Sequence, residues 1–340
     1  MQKVYMKESI LITGGAGYIG SHTAYLLAQK GYHVIILDDF YYKQPFNHSW
    51  ATVIKGNVCD DHLLDKIFSQ FSINAIMHFA GFIAVGESVQ NPFKYYDNNV
   101  VNTLTLLKKA IQYKINKFIF SSSAAVYGLP DQLPLKEDHK TLPVNAYGNT
   151  KLVVEYLLSD VARAYDFKFV ALRYFNACGA EFHHGLGEYH QPETHIIPLA
   201  IRAAMSGKEF KIFGNDYDTP DQTCIRDYLH VADLALAHEA ALNYLKQGGL
   251  SEIFNLGTGR GYSVKEILTT VEKVCGQKLQ IKICERREGD PAILIADPAK
   301  AQKYLGWNAK NSHLEKIISD AYQFERLSHR ESHLSKEAII

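Results

Sequence analysis

Short apolar runs alternate with stretches of helical periodicity through the first half of this 340-residue chain. The run Ser9–Ile12 ends in a glycine-rich turn, Ser21 to Lys30 follows as a helix closed by Gly31, and Val34–Leu37 is the next apolar run. Two buried strands flanking a helix make a βαβ unit, whose parallel strands require a covering helix and a right-handed crossover. The alternation continues through Ala75–Phe79, Lys117–Ser121 and Phe169–Leu172, with helices predicted over Val101–Gln112 and Tyr147–Tyr165. This is a doubly wound α/β pattern. After Asn176, Gly, His, Pro and Asp punctuate shorter elements, with a helix over Pro198–Ser206 and a strand over Phe210–Phe213. The stretches Ala232–Leu245 and Ile253–Leu256 resemble the first half again. The predicted division is therefore a unit over 9–176 with a return segment at 228–258, and a smaller α/β unit over 177–340. The charged tail from Glu325 is predicted to be a solvated helix end.

Composition narrows the classes. With 47% apolar, 12% aromatic and 21% charged residues, the chain is an ordinary globular protein. Thirty-six basic residues balance thirty-six acidic ones, so no global field draws it to nucleic acid or to an anionic membrane. Five scattered cysteines, never in Cys-x-x-Cys spacing, argue against a disulfide framework and for a reduced, cytoplasmic setting. The segment from Met1 to Glu8 has no apolar leader, Met6 stands as a second start, and no run is long enough to span a bilayer.

Candidate chemistry begins at the first turn. Gly14, Gly17 and Gly20 lie between a strand and a helix, where a missing Cβ lets backbone approach a pyrophosphate and the helix N-terminus meets the anion. A glycine triplet also serves plain helix–strand packing, so position carries the argument. Asp38 ends the second strand, about twenty residues on, where a carboxylate accepts bonds from an adenosine ribose. With Asp39 beside it and no nearby Arg, a 2′-phosphate would meet like charge, so NAD is expected rather than NADP.

Tyr147 and Lys151 stand i, i+4 at the start of a helix, which puts phenol and ammonium on one face. A phenol of pKa about 10 needs roughly 4 kcal/mol of differential stabilisation to act as a base near pH 7, and a neighbouring ammonium supplies part of it. An ordinary surface pair is the bland alternative. Ser121-Ser122-Ser123 follows a predicted strand, at the sheet edge where open α/β folds bind ligands, so Ser123 can bond the hydroxyl that the tyrosine deprotonates. The three features converge on one edge.

Taken with His78-Phe79-Ala80-Gly81, Tyr95-Tyr96-Asp97-Asn98-Asn99, Leu172-Arg173-Tyr174-Phe175-Asn176, Arg226-Asp227-Tyr228 and Arg286-Arg287-Glu288-Gly289-Asp290, the chain resembles the extended short-chain dehydrogenase/reductase family. Within it the resemblance is to the UDP-hexose 4-epimerases, over nearly the whole length. It implies a Rossmann-type doubly wound sheet with a smaller α/β substrate domain, tightly held NAD, and a UDP-hexose oxidised at C4, rotated and re-reduced. Tyr147 is then the base, Ser123 aligns the hydroxyl, and Lys151 tunes the phenol. Cofactor contacts are implied for Gly14, Gly17, Tyr18, Ile19, Gly20, Asp38 and Asp39. Further along they are implied for Asn57, Val58, Phe79, Ala80, Gly81, Asn98, Ser121 and Tyr174, together with Tyr147 and Lys151. Substrate contacts are implied for Phe175, Asn176, His195, Phe213, Tyr228 and Leu294, for Arg226 and Arg287 with the diphosphate, and for Asp290 with the uridine ribose. The family is commonly homodimeric, and a homodimer is expected.

The chain departs from the family pattern in places. Ile83 stands where many relatives carry Lys, and Asn57 where an Asp often meets adenine, its amide oxygen serving as acceptor instead. Leu294 is smaller than the Tyr that excludes N-acetylated sugars in relatives, so room for UDP-GlcNAc is expected. His183, His184 and His190 cluster in sequence with Glu181 and Glu188, but the spacing matches no zinc motif and no metal is expected. Dehydration is disfavoured because Ala124 and Ala125 follow Ser123, leaving no second acid. A UDP-uronic acid epimerase and a NAD-sensing regulator on the same fold stay open.

Overall fold

The computed structural model describes residues 7–42, 48–190, 192–287 and 289–337; Met6 and Glu288, singled out above, lie outside them. Seven strands form one parallel sheet. They are β1 (Ser9–Thr13), β2 (His33–Asp38), β3 (Thr52–Lys55), β4 (Ile73–His78), β5 (Lys117–Ser123), β6 (Lys168–Tyr174) and, after a long excursion, the strand Glu252–Leu256. The last pairs with β6 and completes the order in which β1 lies between β2 and β4. The order in which strands are added reverses at β1, so a crevice opens above Thr13, which pairs with Leu37 on one side and His78 on the other.

Helices cover both faces. On one, α1 (Tyr18–Gln29) packs with the long helix Val231–Lys246 over a core of Ile10, Ile12, Leu27 and Val34. On the other, α2 (Asp61–Gln70), α3 (Val85–Gln90), α4 (Pro92–Tyr96), α5 (Asn102–Gln112) and α6 (Ala146–Ala164) lie along the chain, and Leu106, Leu107, Val154 and Leu158 bury against Leu11, Ile35 and Phe118. The sequence pattern misses β3 because this edge strand is half exposed and offers no buried apolar run. The predicted helix over Val101–Gln112 is preceded by a π turn, Asp97–Val101, that brings Asn98 to the crevice and turns Asn99 inward to the backbone of Phe82.

The second unit holds β7 (Asn176–Cys178), α7 (Ile196–Ser206), β8 (Glu209–Phe213), β9 (Ile225–His230), β11 (Gly261–Ser263), α9 (Val264–Cys275), β12 (Gln280–Cys284) and β13 (Ile293–Leu294), counting α8 and β10 as the two returning elements. Strand β9 pairs with β7, β11 and β13, while β8 and β12 form a separate parallel pair. Ile201, Ile212, Ile267 and Ile317 make its core, the last from α11 (Leu314–Glu337). Helix α10 (Ala299–Leu305) goes elsewhere: Ala301 and Trp307 pack into the first core, so the chain crosses back a second time. Helix α7 starts two residues before Pro198, which fits the first turn because that N–H needs no helical acceptor. Glu325 is not solvated as expected; it is 5% exposed and accepts both guanidinium arms of Arg202.

One buried ion pair locks α6 to the sheet. Arg173 on β6 donates to both oxygens of Glu155 at 2.9 and 2.6 Å, and Ser122 on β5 donates to Glu155 at 2.5 Å. Arg173 also reaches Tyr127, whose hydroxyl donates to Asn255 on β10. Arg173→Met leaves a buried carboxylate unpaired, and urea unfolding should show a loss of about 3–5 kcal/mol.

Candidate active site at the switch-point crevice

The glycine turn is built for close approach. Gly14 has φ of +68°, and a Cβ there would lie 2.5 Å from the Ala80 nitrogen; one on Gly20 would lie 2.2 Å from the Gly14 oxygen. Gly17 precedes α1 and offers no side chain to cap it. The N–H groups of Tyr18, Ile19 and Gly20 thus open the helix without intrahelical acceptors, pointing positive ends at an anion. Tyr18 contributes backbone alone, since its hydroxyl donates to the Gly179 carbonyl at 2.6 Å, and the Ile19 side chain packs on the core.

A cleft of about 720 Å³ opens over this turn. Ten of the predicted contact residues line it: Gly14, Gly17, Asp38, Asp39, Asn57, Val58, Phe79, Ala80, Gly81 and Asn98. Asp38 accepts from Ala16 N at 3.0 Å and Phe40 N at 2.8 Å, bracing the turn while facing the cleft, and burial pushes its carboxyl up. Tyr41, Tyr42 and Phe82 also line the cleft and were missed, because exposed aromatics in a loop carry no periodic signal. Lys94 stands 4.6 Å from the Phe82 ring centroid and donates to Tyr41 and Glu87, bringing an ammonium to the wall where Ile83 removes one. Asn57 lines the cleft, and its Oδ1 accepts from Cys59 N at 3.0 Å and from Asn102 Nδ2 of α5 at 3.3 Å.

Ser121, Tyr147, Lys151 and Tyr174 lie beside the cleft rather than on its wall. Lys151 Nζ donates to the Ser121 carbonyl at 2.8 Å, and a Cβ on Gly81 would come within 3.7 Å of it, so the ammonium lies close behind Gly81, which lines the cleft. Tyr174 is spent on a hydrogen bond with Ser121. Tyr147 faces Ser123, whose hydroxyl draws the phenol's pKa down, while burial, the larger effect, holds it above its ordinary value. Lys151 stands 5.8 Å from the Tyr147 ring centroid, and burial pulls it down to about 8 against the opposing charge of Glu155. The expected lowering of the phenol is thus not achieved by this chain by itself. Beneath them His78 is held neutral by burial and by Lys151, at about 3. Thr103 Oγ1 donates to the Asn99 carbonyl, which leaves it to accept from His78 Nε2 and fixes the tautomer from the network.

The predicted substrate residues gather on the facing unit. Asn176 donates to the Asp227 carbonyl at 2.8 Å, and Tyr228, its β9 partner, is 4% exposed. Phe175 and Leu294 pack beside Ala124 and Val126, directly after Ser123. The Arg287 guanidinium stacks 4.2 Å from the Phe213 ring centroid. Arg226 is paired with Asp290, which the sequence assigned to separate parts of a nucleotide, so a diphosphate would have to exchange with that carboxylate. His195 does not join this group. Its Nδ1 is buried against Glu188, and its backbone precedes α7.

The model of the NAD dependent epimerase/dehydratase family matches residues 10–257. A UDP-glucose 4-epimerase of Rhizobium meliloti is 50% identical over 301 residues, 88% of this chain and 92% of that protein. The crystal structure of UDP-glucose 4-epimerase from Brucella ovis in complex with NAD superposes with a TM-score of 0.89 at 44% identity, covering 93% of this chain and 98% of that one. A UDP-Glc/GlcNAc 4-epimerase of Campylobacter jejuni, 39% identical, superposes at 0.82 over 94% and 99%. This chain belongs to the NAD dependent epimerase/dehydratase family.

The cradle fits the dinucleotide of that family on its own geometry: no Cβ at the turn, free helix N–H groups, and a carboxylate at the end of β2. Family membership also gives Lys151 its context, because a buried ammonium is unfavourable until something uses it. Its depressed pKa removes stability as pH falls from 10.5 through about 8. In protein freed of nucleotide, Lys151→Met should therefore be more stable than the parent at pH 7, with the difference shrinking as pH rises past about 8. Paired urea titrations from pH 7 to 10 read that trend.

Proposed function

We propose that this chain is an NAD-dependent UDP-glucose 4-epimerase in which Tyr147, Ser123 and Lys151 carry the proton chemistry. The observation that carries the reading is their placement: Tyr147 beside Ser123, with Lys151 one turn on and its ammonium next to Gly81, which lines the dinucleotide cleft. Bound NAD supplies the hydride acceptor at C4 and further positive charge.

The chain's own residues supply the rest. Tyr147 Oη takes the proton of the sugar 4-hydroxyl, Ser123 Oγ bonds the same oxygen, and the phenol returns the proton after the 4-keto sugar has turned. The Lys151 ammonium, 5.8 Å from the Tyr147 ring centroid, favours the phenolate, and together with the charge that bound NAD brings it works against the burial that holds the phenol up. Rotation demands that the hexose be loosely held while the nucleotide stays fixed. Arg226, Arg287, Phe213, Asn176, Tyr228 and Asp290 supply planar, cationic and amide groups for that anchor. Ala124 and Ala125 place no acid beside the sugar, which favours epimerisation over water loss.

Two finer readings follow. Leu294, packed with Phe175 beyond Ser123, leaves room where a larger ring would stand, which supports acceptance of UDP-GlcNAc. Phe93, Val101, Val153 and Tyr156 are exposed on adjoining elements α4, the π turn and α6, which supports pairing with a second copy in solution; sedimentation at the mass of one 38.4 kDa chain would overturn it. A cytoplasmic site of action accords with five unpaired cysteines and with no described helix long and apolar enough to cross a membrane.

The deciding assay is interconversion of UDP-glucose and UDP-galactose by purified protein without added NAD. Tyr147→Phe should lower turnover by about 10²–10⁴-fold while absorbance and extraction show the dinucleotide still bound. Unchanged turnover would remove the tyrosine from its role, and no turnover by loaded parent protein would favour a binding module. The same preparation should also convert UDP-GlcNAc, and failure to do so would reject the reading of Leu294.

A further inference from the structure

The histidine cluster visible in the sequence is divided by the fold. His183 stacks on Phe182 at 3.9 Å and His184 on Tyr25 at 4.5 Å, whereas His190 turns to Glu188 and is joined by His195. With Glu193 this makes four donors from eight consecutive positions, Glu188, His190, Glu193 and His195, and one donor atom of each lies within 4.8 Å of all the others. We propose that these four residues bind one divalent transition-metal ion, zinc by their chemistry, which pins the loop between β7 and α7.

Two edges of the cluster already approach ligand spacing: His190 Nδ1 lies 3.1 Å from Glu188 Oε1, and His195 Nδ1 lies 3.4 Å from Glu193 Oε1. Ligands around a tetrahedral zinc with bonds of about 2.0–2.1 Å stand about 3.4 Å apart. His195 Nδ1 and Glu188 Oε1 are in direct contact, closer than that, and rotation of the His195 side chain, 43% exposed, would open this edge. Two imidazoles and two carboxylates suit zinc better than calcium or magnesium, which take oxygen alone, or copper(I), which prefers sulfur.

An independent observation points to a missing cation. Glu193 Oε2 is buried without a hydrogen-bond partner, on a side chain only 3% exposed. Its nearest recorded cation, Arg202 Nη2, stands off at 3.7 Å and is already bidentate to Glu325. With neutral imidazoles, the two buried carboxylates of Glu188 and Glu193 share less than one full positive charge from Arg202, a costly arrangement. A divalent ion with two neutral imidazoles balances them; two protonated imidazoles would do so as well, and this is the rival that the test must separate.

The position gives the ion a structural task. The His190 ring meets Tyr18 edge-on at 6.4 Å and Tyr42 at 5.7 Å. Tyr18 opens the helix of the glycine turn and Tyr42 lines the cleft, so the clamp joins the second unit to the rim of the dinucleotide site.

The test uses full-length protein made without a polyhistidine tag, equilibrated with zinc and then dialysed against metal-free buffer. Elemental analysis should find about one zinc per chain, and X-ray absorption should show an all-nitrogen-and-oxygen shell containing two imidazoles. His190→Ala and Glu193→Gln should each lower retained zinc by at least roughly tenfold, the double variant His183→Ala/His184→Ala should keep it, and a chelator should lower the parent's thermal midpoint but not that of Glu193→Gln. Folded parent protein that retains less than about one-tenth of an equivalent, a shell containing sulfur, or undiminished zinc in both single variants would overturn the site and leave imidazolium pairing in its place.

Discussion

The rotation of helix α6 about its own axis decides whether this protein has an active site. Tyr147, Lys151 and Glu155 succeed one another at intervals of one turn on a single stripe. The far end of that stripe is fixed by Arg173, which grips both oxygens of Glu155 from β6, while Ser122 bonds the same carboxylate from β5. With Glu155 held, Lys151 meets the carbonyl of Ser121, and Tyr147 faces Ser123. A buried ion pair adds little net stability compared with apolar packing, but it punishes every other rotation of the helix with an unpaired charge. Its value here is one of alignment.

The same logic explains why the site is electrostatically unfinished. Lys151 is buried, depressed to about 8, and set above a histidine that its charge helps to keep neutral. Tyr147 is held above its ordinary pKa by burial. Neither state suits an isolated protein, and both suit a site completed by a bound nucleotide that brings charge and excludes water. Violations of local rules gather at functional positions because function requires them.

The facing unit shows a parallel economy. Arg226 and Asp290, which sequence reasoning gave to different parts of a nucleotide, neutralise each other, and the guanidinium of Arg287 rests on Phe213. Groups intended for a charged ligand find partners among themselves, which keeps them soluble and oriented at modest cost. Asn57 belongs to the same class: a polar side chain facing a ligand site, with its oxygen bonded to the loop that carries it and to α5.

Much of this was legible along the chain. The glycine turn, Asp38 at the end of the second strand, the Tyr147/Lys151 spacing and Ser123 after a strand are local patterns, and local patterns survive translation into structure because helix and strand periodicities are fixed by backbone geometry. The edge strand β3, the aromatic lip of Tyr41, Tyr42 and Phe82, and the second crossing that brings Trp307 into the first core were not legible, since exposed or lone apolar residues have no period. Nor could the sequence divide its histidines, sending His183 and His184 to aromatic neighbours and His190 with His195 to two buried glutamates. The sequence by itself determined the order of elements and the candidate residues for proton chemistry. The tertiary structure alone decided which charges are paired, because pairing depends on contacts between positions such as 173 and 155, or 226 and 290, whose separation along the chain bears no relation to their distance in space.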